Sequence, residues 1–188
     1  MATPSTVLAP KVEFDLARGQ ITLSGSAPRV LVPAEALSLL CKDADPEAVQ
    51  SFGRRLGVEV GRRAAEGLNQ ISRASIEAVV ERVGAELALM GLGSLAVERW
   101  GRALVCSVSA APLGLEADAL VGSVLEGVLE DAFGRAARAV PLGRVGEEAR
   151  FLIINPNGAI QVEKWLAQGS SWGQVLERLH TPKSQGEP

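Results

Sequence analysis

The side chains able to do chemistry are few and scattered. Histidine occurs once in 188 residues, as His180 near the C-terminal end. One imidazole beside the tail leaves no two-histidine metal site, and no histidine base for a nucleophile in the patterned body. It reads as a helix C-terminal cation or a solvated residue. Glu126, Glu130 and Asp131 share a helical face, and Glu147-Glu148 sit in a turn. Paired carboxylates can run acid–base hydrolysis, but these read first as the solvated edge of a helix and an exposed turn. The two cysteines, Cys41 and Cys106, lie among apolar neighbours and read as buried thiols packing as small hydrophobes. A modified or ligand-touching thiol is the sharper alternative. No Gly-x-Ser-x-Gly elbow and no phosphate-cradling Gly-x-x-x-x-Gly-Lys-Ser/Thr occurs. Gly91-x-Gly93 lacks the third glycine of a dinucleotide site and ends a helix where such a site begins one. The expectation is no catalytic residue, no metal, no cofactor and no enzyme; a carboxylate- or cofactor-dependent enzyme is the least favoured class.

The formal charge is −3, with arginine and glutamate interspersed. Without a basic tract or interleaved aromatics, a nucleic-acid partner is not expected. Arg135, Arg138, Arg144 and Arg150 cluster in sequence, but with Glu147 and Glu148 among them they read as a solvated strand rim. Apolar residues make up 47% of the chain, yet no run reaches the ~18–20 residues of a membrane span. The first residues lack the pattern of a secretory leader. A cytoplasmic location follows as an expectation, and with it free thiols. Abundant Ala, Gly, Arg, Leu and Val with no Tyr suggests a bacterial source.

These residues must be positioned by a body that runs from about 11 to 180 as one domain, between tails at 1–10 and 181–188 that read as disordered. Val12, Phe14 and Leu16 alternate with polar residues, Arg18-Gly19 turns, and Ile21 and Leu23 alternate again, predicting an N-terminal hairpin. Pro33 opens a short helix to about Lys42. Asp45-Pro46 caps the longest helix, in which Gly53, Gly57 and Gly61 fall on one stripe. Three helical glycines each cost about 1 kcal/mol, so the stripe predicts a close backbone approach: packing within the chain, a dimer seam or a ligand groove. A second amphipathic helix capped by Ser72 or Ser75 carries Val83, Leu87 and Met90 inward and stops at Gly91-Leu92-Gly93. A hairpin over 95–98 and 104–108 follows, joined at Trp100-Gly101-Arg102. The helix over 117–133 has so narrow a polar stripe that it must be central and buried. Strands at 136–142 and 148–154 come next, the second apolar on both faces as a central strand should be. Asn155-Pro156-Asn157-Gly158 signals a tight turn with glycine left-handed. Residues 159–165 suit strand or helix, and Ser171 to Gln174 has capping-box spacing for a last helix. The fold class is therefore α+β, an antiparallel sheet of about four strands packed against helices, with an extra N-terminal hairpin.

In order and spacing, four segments together resemble the 4-vinyl-reductase domain, a relative of the TRAPP vesicle-tethering subunits. They are Arg29-Val-Leu-Val-Pro-Ala-Glu-Ala-Leu, Leu56-Gly57-Val-Glu-Val-Gly61-Arg62, Gly91-Leu-Gly93 and Val140-Pro-Leu-Gly-Arg-Val-Gly146 through Ile153. The match spans roughly residues 29–154. The resemblance implies a sheet packed on helices, dimerisation through helices, and an apolar pocket for small hydrocarbons, aromatics or acyl chains. The cysteines that bind zinc in some relatives are replaced here by Gly143 and Ala149, so that zinc site is absent. Acylated relatives carry their cysteine after the glycine-spaced helix, where this chain has Ser72 to Ser75, and Cys41 precedes that helix.

The reading that follows is a non-enzymatic, homodimeric domain. It binds a small hydrophobic ligand or acyl chain and acts through a protein partner as a sensory or regulatory module. Its pocket is expected near Phe52, Leu56, Val83, Leu87, Met90, Cys106, Leu125 and Phe133, each of which is also explained as ordinary core. The alternative is a ligand-free scaffold of TRAPP type, with Trp165 and Trp172 as partner anchors or, more plainly, as a cap over the sheet.

Overall fold

A computed structural model describes residues 12–23, 28–68, 74–101, 103–134 and 136–180. Both expected tails lie outside these residues. The chain divides into two units, Met1–Pro33 and Ala34–Pro188. In the first, β1 (Val12–Asp15) and β2 (Gln20–Leu23) pair antiparallel, and Arg29 adds a bridge to Ile21. Direct pairing of Val12 with Leu23 and Phe14 with Ile21 gathers the apolar side chains on one face. The expected hairpin is present.

The second unit is a three-layer arrangement around a four-stranded antiparallel sheet. Its strands are β3 (Ser94–Trp100), β4 (Ala103–Ser109), β5 (Arg138–Val145) and β6 (Glu148–Ile154), in spatial order β3-β4-β6-β5. Alternation along the central strands splits the core in two. Cys106, Val108, Ala149 and Phe151 face one layer of helices, while Ala103, Val105, Leu152 and Ile154 face the other. The first layer holds α1 (Ala34–Asp43), α2 (Pro46–Gly67), α3 (Ile76–Leu89) and α4 (Asp118–Phe133). The second holds α5 (Pro156–Ala167) and α6 (Trp172–His180).

Local chemistry fixes the helix ends. Asp45 accepts from the Glu47 amide at 2.7 Å with Pro46 in the first turn, and Ser75 caps α3 through the Ala78 amide. Ser171 and Gln174 form a reciprocal capping box at α6. The segment from Asn155 is not the tight turn its composition suggests. Asn155 Oδ1 accepts from the Gly158 amide at 2.8 Å and Pro156 occupies the first helical position, so the same residues start α5, and 159–165 are helical. An Asn-Pro pair satisfies a helix N-terminus as well as it satisfies a turn. Nothing in the four residues alone separates the two.

Helix α4 is central, its residues from Leu120 to Val128 buried. One side meets the sheet: a Cβ on Gly122 would lie 3.0 Å from the Ala139 carbonyl oxygen. The other side meets α2. A Cβ on Gly53 would fall 2.7 Å from Ser123 Cβ, one on Gly61 2.9 Å from Asp131 Oδ2, and one on Gly57 would run into the Val124 carbonyl. Gly127 faces Gly57 in turn, so the two backbones touch there without intervening side chains. Partners advance along α4 as the glycines advance along α2, so the helices run parallel. Within the chain, the stripe is packed against α4.

Gly57→Ala tests that contact. Alanine gains about 1 kcal/mol of helix propensity, but overpacking at a backbone contact costs about 1–3 kcal/mol or more. Chemical denaturation is expected to show net destabilisation, whereas an exposed helical Gly→Ala change would stabilise.

Candidate functional site

The first-layer face of the β3–β4 hairpin, with α3 and α4, bounds a partly open cavity of about 80 Å³. Helix α3 contributes Val79, Val80 and Val83. Strands β3 and β4 contribute Leu95, Val97, Leu104 and Cys106, and α4 contributes Leu125, Val128, Leu129 and Phe133. The pairing of Val97 with Cys106 places the two on the same face of the sheet. On α4 the four residues form one stripe at helical spacing. The wall is apolar throughout. Phe133, the last residue of α4, is 47% exposed and is the most accessible part of it, whereas Val83, Leu125 and Val128 are each at most 5% exposed.

Of the eight residues expected near a pocket, Val83, Cys106, Leu125 and Phe133 line this cavity. Leu87 is buried in the surrounding core, and Leu56 and Met90 pack against that core. Phe52 is exposed. It precedes Gly53 by one residue, and a step of about 100° around α2 turns it away from the glycine-lined inner face. Sequence reasoning missed Val79, Val80, Leu95, Val97, Leu104, Val128 and Leu129. The available signal was the inward alternation of the hairpin read together with the α4 stripe.

Burial pushes the Cys106 thiol up to about 12, so the group facing the cavity is a neutral S–H at physiological pH. Cys41, on α1, is half-buried, and its thiol is also raised by burial. Both cysteines are free.

The buried carboxylates form three arginine-paired sites around the cavity's supporting elements. Glu126, read from sequence as a solvated helix edge, is 6% exposed. Its Oε1 accepts from Arg138 Nε at 2.7 Å and from the Ala139 amide at 3.1 Å, while its Oε2 accepts from Arg54. The residue thus ties α2, α4 and β5 together. Asp118 accepts from Arg144, whose guanidinium also donates to the Leu113 and Gly114 carbonyls. Hydrogen bonding to Asp118 raises the Arg144 pKa further. Arg138 and Arg144 are accordingly half-buried structural cations, and the expected solvated rim is corrected for both. Arg150 pairs with Glu148, and Arg135 lies outside the described residues. Glu86, on α3, is 2% exposed; Arg63 Nε donates to its Oε2 at 2.8 Å. Arg82 Nη2 lies 2.9 Å from Oε1 but off the hydrogen-bonding direction. Each of the three carboxylates is paired with arginine.

Trp165 and Trp172 pack half-buried over the second-layer face of the sheet. Trp172 meets Trp100 edge-on at 5.4 Å, and Arg150 and Arg178 lie over Trp172 and Trp165 respectively. His180 ends α6, its Nδ1 2.6 Å from the Leu176 carbonyl oxygen. Among the described residues, no three His, Cys, Asp or Glu side chains converge as metal ligands, and no helix is long and apolar enough to cross a membrane.

No family model and no curated protein matches the chain. Among solved structures, the phenol-responsive sensory domain of the transcription activator PoxR, crystallised with phenol, shares the fold at a TM-score of 0.55 and 16% identity, over 92% of each chain.

The cysteine environment has a pH signature. Because the folded Cys106 pKa lies near 12 against an ordinary 9.0, the group's contribution to stability is complete below pH 9 and is lost as pH rises toward 12. Urea midpoints measured from pH 8 to 11 are expected to fall more steeply for the wild type than for Cys106→Ala. Native protein alkylated at pH 8 is expected to be modified at Cys41 before Cys106.

Proposed function

We propose that the chain is a sensory or regulatory module that takes a small hydrophobic ligand in the cavity between α3, α4 and the β3–β4 hairpin. The observation that carries this reading is the cavity, apolar on every wall. A packed interior leaves few voids larger than a water molecule, and those that are apolar stay dry and accept apolar guests. Likeness of fold to a ligand-responsive sensory domain supports the reading, as does the resemblance to 4-vinyl-reductase domains.

The cavity's size limits the ligand. About 80 Å³ is roughly half the ~150 Å³ of an engineered cavity that accepts benzene. A single ring therefore requires one wall to give, and Phe133, the most exposed residue of the wall, is the side chain expected to move. An acyl chain would require displacement of α3 as well.

Output passes through a protein partner, with no catalytic step. The surface suited to it is the outer side of α1 and α2, where Leu39, Leu40, Phe52 and Val58 are exposed. The same surface would serve a homodimer of a cytoplasmic protein. A ligand-free scaffold of TRAPP type is the second reading, and the small volume of the cavity is what favours it.

Benzene is the direct probe. At about a hundredfold excess over Kd, the melting temperature is expected to rise by about 5–10 °C. Val80→Phe, which fills the cavity from its half-buried α3 wall, is expected to abolish that rise while leaving the ligand-free protein folded. A wild-type protein that melts identically with and without benzene would favour the scaffold.

A further inference from the structure

We infer that the cavity selects a ligand with no hydrogen-bonding group of its own, preferring an alkyl-substituted ring to its hydroxylated analogue, and that Cys106 sets this preference. The inference rests on the ligand-binding reading and specifies its ligand class. It follows from where the neighbouring polar side chains go. Ser107 follows Cys106 on β4 and so points to the opposite face of the sheet, with Ala103 and Val105. Ser123 donates back to the Ala119 carbonyl at 2.7 Å. Glu126 is held by Arg54, Arg138 and the Ala139 amide, and Glu86 by Arg63 and Arg82. The backbone groups of β4 are taken up by pairing with β3 on one side and β6 on the other.

What remains in the wall is the Cys106 sulfur, a weak donor and a weak acceptor. Burial keeps it protonated, so it supplies no charge to a cation and no strong acceptor to a hydroxyl. An anionic ligand likewise finds no counter-charge, since no charged side chain lines the wall. A hydroxyl carried into this cavity loses its water partners and gains none. Sulfur beside an aromatic face, by contrast, is a favourable contact.

Toluene and phenol separate the two cases, because they differ by a methyl and a hydroxyl at nearly equal size. Calorimetric titration of the full chain is expected to give a Kd for toluene ten- to a hundredfold below that for phenol, the range by which an apolar pocket rejects a hydroxylated isostere. Cys106→Ser, which places a hydroxyl donor and acceptor in the same wall, is expected to narrow the ratio by strengthening phenol. Val83→Thr offers the same test from the α3 wall should the serine variant fold poorly. Phenol binding the wild type as tightly as toluene overturns the inference and leaves the ligand-binding reading standing. A ratio unchanged in a folded hydroxyl variant overturns the role of the wall residue. Binding of neither compound overturns the ligand-binding reading itself, and this inference with it.

Discussion

Helix α2 can reach α4 only because both helices lack side chains where they meet. The contact of Gly57 with Val124 and Gly127 is backbone against backbone, extended in both directions by Gly53 and Gly61. This fixes the separation of the two helices more tightly than interlocked leucines would, and it places α4 flat between α2 and the sheet. From that position α4 offers one face to α2, one to Phe151 and β5, and a third stripe, Leu125 to Phe133, to the cavity. The cavity exists because the α4 stripe and the hairpin face are each held from behind and α3 bridges them without filling the space.

The buried ion pairs belong to the same construction. Such pairs add little net stability compared with apolar packing, yet losing one partner is costly, on the order of 3–5 kcal/mol. Their effect here is positional. Glu126 registers α4 against both α2 and the start of β5, Asp118 holds the N-terminus of α4 to Arg144 of the same strand, and Glu86 ties α3 to α2 through Arg63. The elements that bound the cavity are thereby anchored away from it, and its own wall is left free of polar groups.

Most of the architecture was legible in the chain. Asp45-Pro46, the Gly91-Leu92-Gly93 exit and the doubly apolar run at Phe151 each have one dominant structural solution, and each was found where its chemistry put it. At that exit, Gly93 has a φ of +95° and a Cβ there would lie 2.5 Å from the Ser109 carbonyl oxygen, so no other residue serves. Asn155-Pro156 misled because a cap and a turn use the same residues. Glu126 misled for a different reason. A glutamate on a helix is ordinarily solvated, and its partners Arg54 and Arg138 lie 72 and 12 residues away in the chain. The candidate site was half legible: periodicity says which residues face inward, as it did for Val83, Cys106, Leu125 and Phe133. It does not say which inward residues border empty space, because that depends on how α3 and the hairpin meet.

The proposed function depends on one property, that the space between α3, α4 and the β3–β4 hairpin receives an apolar guest. Diffraction from crystals equilibrated with benzene vapour tests it most directly. The expected result is ring-shaped density bounded by Val83, Cys106 and Leu125, with Phe133 displaced from its position in the empty protein. An empty cavity at saturating vapour, or benzene bound elsewhere on the chain, would contradict the account.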